Sequence, residues 1–353
     1  MTPITSILVA TDFSVAANIA VRRAALIAAQ HDARMTLLNV VDPSTFRPLR
    51  GWVSKSTAID FKVAQAHVAL GGFAAEIAGR HDVHVRTAVQ IGDALEHVRQ
   101  MMEDADLLVV GASSADPLKD FLFGTPTERL LRLLRRPVLV AKQPLEGPYR
   151  RVLVPVDFTE SSEAAVRTAL DLAPFAAIHL IHALSGHPLT RLRADVPEAV
   201  IREYEARDRQ RGVRRLRSMV ASLDHARLHI CADHGDPAHL TLAKQKRIVA
   251  DLVVMGKKGQ STVSDFLLGS VVNRVMSNTP CDVLVIPKAS VPRLIAQPER
   301  RDGFSSSAKA CPLIARPATP RRCGLVQPLT QAAATLGTGS GGPADDHRGR
   351  AAA

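Results

Sequence analysis

Residues Gly256-Lys-Lys-Gly259-Gln-Ser-Thr-Val-Ser-Asp-Phe-Leu-Leu-Gly269-Ser270 decide how this chain is read. The apolar run Asp251-Leu-Val-Val-Met255 ahead of them predicts a buried strand, and Ser270-Val-Val-Asn-Arg-Val-Met276 predicts the first turns of a helix. A strand stops, a glycine-marked loop follows, and a helix begins at Gly269-Ser270. Such a junction suits a phosphate. Glycines let the backbone turn and approach an anion closely, and the first N–H groups of a helix have no partner within it. Lys257 and Lys258 are expected to add positive charge beside the anion. Gly259 and Gly269 are expected to need φ > 0 or close ligand approach, so valine at either should abolish binding without unfolding the domain.

Working outward, the chain says nearly the same thing twice. Ile7-Leu-Val-Ala-Thr-Asp12-Phe-Ser matches Val152-Leu-Val-Pro-Val-Asp157-Phe-Thr, and Asp106-Leu-Leu-Val-Val-Gly111 matches Asp251-Leu-Val-Val-Met-Gly256. Asp120-Phe-Leu-Phe-Gly124-Thr matches Asp265-Phe-Leu-Leu-Gly269-Ser, and Pro137-Val-Leu-Val-Ala-Lys142 matches Asp282-Val-Leu-Val-Ile-Pro-Lys288. Each copy is about 140 residues, a usual domain size. Apolar runs near 6–11, 34–41, 83–90, 106–111 and 137–142 predict the strands of the first copy. Runs near 151–156, 176–183, 226–232, 250–256 and 281–287 predict those of the second, with helices near 160–173, 195–222, 236–249 and 270–278. Strands apolar on both faces alternating with helices imply a parallel sheet covered on both sides, with ligands bound beyond the carboxyl ends of the strands. The expected domains are 1–143 and 150–289, joined by the short Gln143-Pro-Leu-Glu-Gly-Pro148 linker and followed by a tail, 290–353.

The glycine spacing, behind a strand ending in Pro155-Val156-Asp157 and with His234-Gly-Asp-Pro237 before a helix, resembles the nucleotide-binding pattern of the universal stress protein family. It is neither a Walker P-loop nor the kinase glycine loop. The resemblance covers residues 1 to about 289 as two tandem domains. It implies an α/β fold of two doubly wound, five-stranded parallel sheets, adenine nucleotide alpha hydrolase-like. It implies ATP, with or without Mg, as cofactor. Carried onto this chain, Pro155 and Val156 line the base, Asp157 meets the ribose or base, Ala183 packs on adenine, and Met255 ends the fourth strand. Gly256, Gly259, Gly269 and Ser270 hold the phosphates, and Val271 and Val272 add N–H groups. By itself Asp157 also reads as a helix N-cap or loop carboxylate. The first copy departs from the pattern: Ser114 replaces the second glycine, Ala112 and Ser113 replace the lysines, and Pro126 removes an N–H where Val271 stands. It is expected to bind ATP weakly or not at all. In this family fifth strands pair between subunits. A tandem chain is expected to make that pairing internally, 137–142 with 282–287, as a pseudo-dimer, with a homodimer as a further expectation. The implied role is stress-response regulation; the alternatives are a slow ATP hydrolase and a nucleotide-free interaction scaffold.

Composition narrows the classes. Of 353 residues, 46% are apolar and only 4% aromatic, which predicts aliphatic cores. No apolar run approaches the length of a membrane span, and the start of the chain runs straight into a strand, so no signal peptide and a cytoplasmic location are expected. The net charge of +11 invites nucleic acid. Roughly half of that excess lies in the tail, though, and the arginine-rich stretch 191–217 also carries Glu198, Glu203, Glu205 and Asp208 at helical spacing, which predicts a solvated face with local ion pairs. With Tyr204 the single aromatic among those arginines, no specific nucleic-acid partner is expected. Cys231 and Cys281 read as small apolar strand residues, His179 and His182 as strand residues rather than ligands, and no metal site is expected. The tail is too poor in periodic apolar residues to offset its ordering entropy and is expected to be disordered.

Overall fold

The computed structural model describes residues 4–45, 55–112, 126–144, 147–184, 197–223, 226–257 and 268–287. The tail, Gly259, Lys258 and the first copy's Ser113, Ser114, Gly124 and Thr125 lie outside the described residues. Repeat one runs β1 (Ser6–Ala10), α1 (Val15–His31), β2 (Arg34–Val41), α2 (Lys55–Arg80), β3 (Val85–Ile91), α3 (Ala94–Met101), β4 (Leu107–Gly111), α4 (Pro126–Leu133) and β5 (Val138–Ala141). Repeat two runs β6 (Arg151–Pro155), α5 (Glu160–Leu172), β7 (Ala177–Leu184), α6 (Glu198–Met219), β8 (Leu228–His234), α7 (Pro237–Ile248), β9 (Leu252–Gly256), α8 (Ser270–Asn278) and β10 (Asp282–Ile286).

All ten strands form one sheet, in the order β3-β2-β1-β4-β5-β10-β9-β6-β7-β8. Pairing is parallel within each repeat. At the seam β5 and β10 run antiparallel, with Val140 opposite Val283, Leu139 opposite Leu284 and Val138 opposite Val285. Central strands such as β9 and β10 are buried along their length, whereas the outermost, β3 and β8, are half-exposed, as their mixed sequences require. One aliphatic core lies under α1, α2, α5 and α6 and another under α3, α4, α7 and α8, and each runs through both repeats.

Local chemistry sets the helix starts. Ser14 and Thr159 cap α1 and α5, and Asp93 and Asp236 cap α3 and α7, accepting from Glu96 N and His239 N. The glycine before each of those aspartates has positive φ, 140° at Gly92 and 149° at Gly235, so this turn is shared by both copies. The sequence places β8 two residues early. Asp233 and His234 keep pairing with Ala183 and Leu184 until Gly235 turns the chain, and polar residues on an outer strand do not mark its end.

The seam is chemically lopsided. Arg23, 2% exposed, pairs with the fully buried Asp282 (Nε to Oδ2, 3.1 Å). Tyr149 donates its hydroxyl to Asp282 Oδ2 at 2.8 Å, and Lys142 donates its backbone N–H to Oδ1 at 2.8 Å. The Arg23 guanidinium lies 4.6 Å from the Tyr149 ring centre and also donates to Gly147 O. In the alignment that matches Asp12 with Asp157, the counterparts of Arg23, Tyr149 and Asp282 are Thr168, Ile4 and Pro137. These smaller, less polar residues line a void of about 50 Å³.

Candidate functional site

The sheet opens where its strand order reverses in repeat two. Strands β6 and β9 are in register only at Val152–Leu252 and Leu153–Val253, and both continue beyond that point. The β6–β7 ladder stops at Pro155–Ile181, while β7 goes on beside β8 to Leu184. The carboxyl ends of three strands therefore surround a crevice, the usual ligand position in such sheets. A cavity of about 620 Å³ occupies it. Pro155, Val156, Asp157, Ala183, Met255, Gly256, Gly269, Ser270, Val271 and Val272 all line it, so ten of the eleven residues expected from sequence come together. The eleventh, Gly259, lies outside the described residues.

Individual roles are less uniform than the spacing suggested. Asp157 does not cap α5; Thr159 does. Asp157 Oδ1 accepts from Thr159 N (3.1 Å) and Oγ1 (2.6 Å), closing the turn that holds Phe158 at φ 62°. Phe13 sits at φ 64° behind Asp12, so the strained turn belongs to both copies. Gly256 is needed for packing: a Cβ there would lie 2.6 Å from Ser161 Oγ and 3.0 Å from the Ser161 carbonyl carbon. At Gly111 the equivalent Cβ would meet the Ala16 backbone at 2.5 Å. This glycine therefore seats the helix that follows the repeat's first strand against the end of its fourth, with or without a ligand. Gly269 is the N-cap of α8 at φ −61°, ψ 144°, which corrects the expectation of positive φ there. Having no side chain, it offers the first-turn N–H groups of α8 no side-chain cap of its own. Lys257 is a second correction. It is buried, and its ammonium turns away from the cavity to the carbonyls of Arg132 (2.5 Å) and Leu134 (3.4 Å) in repeat one.

Sequence reasoning missed one wall of the cavity, made of His182, Asp208 and Arg215, with Ser162 and Thr241 nearby. His182 shares a 2.7 Å hydrogen bond between Nδ1 and Val156 O, and its ring centre lies 4.5 Å from that of Phe158. The Arg215 guanidinium stacks on Phe158 at 3.9 Å. Asp208, two turns earlier on α6, meets Arg211 at 3.4 Å and His234 Nε2 at 3.7 Å. Arg202, Arg207 and Arg209 behave as the spacing predicts, pairing with Glu198, Glu203 and Glu205. Period alone does not show which helical face meets a cavity lip. Asp236, at the start of α7, is bound by Arg274 of α8 at 3.0 Å. The His239 backbone N–H, more than Arg274, holds its carboxyl below the usual range. Among the described residues no helix is long and apolar enough to cross a membrane. The arrangement offers backbone donors for an anion at one side, a carboxylate at another, and a strand edge beyond Ile181 between them.

Known proteins give this geometry a context. The profile of the universal stress protein family matches twice, over residues 3–142 and 148–287. A universal stress protein of Mycolicibacterium smegmatis is 27% identical over 292 residues, covering 79% of this chain and 96% of its own length. One from Methanocaldococcus jannaschii is 28% identical over 145 residues, covering 40% of this chain and 85% of its own. Among solved structures, a universal stress protein from Archaeoglobus fulgidus aligns with TM-score 0.60 at 20% identity, across 80% of this chain and 96% of that one, a likeness of fold. With two consecutive family matches laid over the two halves of a single ten-stranded sheet, this chain belongs to the universal stress protein family as a tandem, two-repeat member.

Proposed function

We propose that the chain binds one adenine nucleotide, ATP, in the cavity of repeat two and acts in the cytoplasm as a stress-response protein whose partners read the bound state. The observation that carries this reading is the α8 N-terminus, with its glycine N-cap, facing a cavity of about 620 Å³ at the carboxyl ends of β6, β7 and β9. The phosphates would lie against the N–H groups of Ser270, Val271 and Val272. The Asp157 carboxylate would accept from the ribose hydroxyls, and the base would sit beside Pro155, Val156 and Ala183, where β7 outruns β6. Arg215 supplies a cation on the opposite wall. Repeat one is the weaker or silent copy: α4 carries Pro126, which has no N–H to offer where α8 offers that of Val271.

Isothermal titration of the full chain with ATP, with and without Mg, is expected to give a stoichiometry near one. Two equal sites would refute the silence of repeat one, and no uptake would refute the nucleotide reading. Phosphate release, with the Gly269→Val variant as control, separates binding from hydrolysis.

A further inference from the structure

Repeat one grips both ends of the segment that borders the cavity of repeat two. Lys257 is the first residue after β9. Its backbone N–H donates to Ile286 O (2.7 Å) and its C=O accepts from Gly269 N–H (3.1 Å), so it fixes the N-cap of α8. Its side chain leaves the repeat, and Nζ donates to Arg132 O and Leu134 O at the C-terminal end of α4. At the other end of α8, Lys142, the first residue after β5, donates from Nζ to Met276 O and to Thr279 O (3.0 Å). Each lysine thus caps the C-terminal end of a helix in the opposite repeat, where the last carbonyls lack intrahelical partners and the dipole favours a cation. Lys257 is only 6% exposed, and those carbonyls help to offset the lost hydration of its ammonium. The clamps are not copies of each other. Ala112 occupies the position of Lys257 in repeat one, and Pro287 that of Lys142 in repeat two. Duplication alone does not produce them.

We propose that repeat one is the positioning platform for the ligand site of repeat two. By holding residue 257 and the far end of α8, it sets where the N–H groups of Ser270, Val271 and Val272 point. A ligand drawn to those groups in turn tightens the grip on α4, since coupling between sites is reciprocal. Helix α8 is about 13 Å long, short enough to move as a rigid rod. Neither lysine lines the cavity, so both are positioning residues. This inference rests on the nucleotide reading for its ligand, not for its geometry.

The test uses the full chain with Lys142→Met and Lys257→Met. Two amides report on the cavity end of α8: Gly269 N–H, bonded to Lys257 O, and Asn273 N–H, bonded to Gly269 O. In ligand-free protein both are expected to exchange faster in the Lys142→Met variant by about tenfold, and ATP affinity to fall by about tenfold in each variant. If faster exchange in Lys142→Met is confined to the α8 C-terminal end, near Thr279, or ATP affinity is unchanged, the lysines are local caps and the proposal is overturned. If the wild type takes up no ATP, the nucleotide reading fails and the exchange measurement alone decides this one. Lys142→Gln and Lys257→Gln, which are one atom shorter and uncharged and so loosen the same grip, are read in the same way should a methionine variant not fold.

Discussion

At Gly256 the space of a side chain is already occupied by Ser161. Gly256→Ala is therefore expected to destabilise the protein by about 1–3 kcal/mol whether or not nucleotide is present. Gly147→Ala, whose added carbon meets nothing within 4 Å, should stay within about 0.5 kcal/mol. Urea unfolding of the two variants checks the pair. His179 gives a pH-dependent counterpart. Its ring stacks on His229 with centres 4.6 Å apart, and burial, then the charges of His229, Lys244 and Arg151, push its pKa down to about 4 from 6.5. The native state binds fewer protons than the unfolded chain between those values. The contribution is thus complete above pH 6.5 and is lost as pH falls toward 4, on the order of 1 kcal/mol once solvent screening of a half-buried ring is allowed for. His179→Gln should flatten that part of the stability curve. Residues such as Gly256 and Ala183 were legible in the sequence because strand ends and glycine spacing are local. The direction of Lys257 was not, because its partners are carbonyls more than a hundred residues away.

Helix α8 was the most legible element, its bounds matching those predicted, yet the reason for Gly269 was misread. A backbone at φ −61° admits any residue, so the glycine matters for what it omits. Gly269→Asp would supply the missing cap and complement the helix dipole, a gain of about 0.5 kcal/mol. It would also place a carboxylate where a phosphate is proposed to bind. The expected outcome is a higher melting temperature with weaker ATP binding, and unchanged affinity would move the phosphate elsewhere. Helix α6 divides in the same way. Arg207→Ala removes an exposed pair with Glu203, worth under about 1 kcal/mol. Arg215→Ala removes the cation stacked on Phe158 and should weaken ATP more than adenosine. The i,i+4 pairs could be read from spacing. The inward turn of Arg215 depends on where the turn between β6 and α5 places Phe158, a tertiary fact.

At the scale of the molecule, the repeat and its sheet class were visible in sequence, but the lopsided seam was not, since Arg23 and Asp282 belong to different copies. Burial raises the Asp282 carboxyl above its ordinary value, against the pull of the Lys142 backbone N–H and of Arg23. The native state then holds its proton longer than the unfolded chain, and stability from this group is lost as pH rises. Arg23→Met strands the carboxylate and should cost about 3–5 kcal/mol near neutrality, less in acid, as unfolding at two pH values would show. The seam also has a temporal side. Strand β10 is the last of the ten to be synthesised yet lies in the interior of the sheet, flanked by β5 and β9. Repeat one leaves the ribosome with Val138–Ala141 as a bare apolar edge and must wait until Ile286 emerges to cover it. A polysome crowded with half-made chains brings many such edges together, and a pause in translation anywhere before Asp282 leaves each nascent chain to find its missing strand in a neighbour.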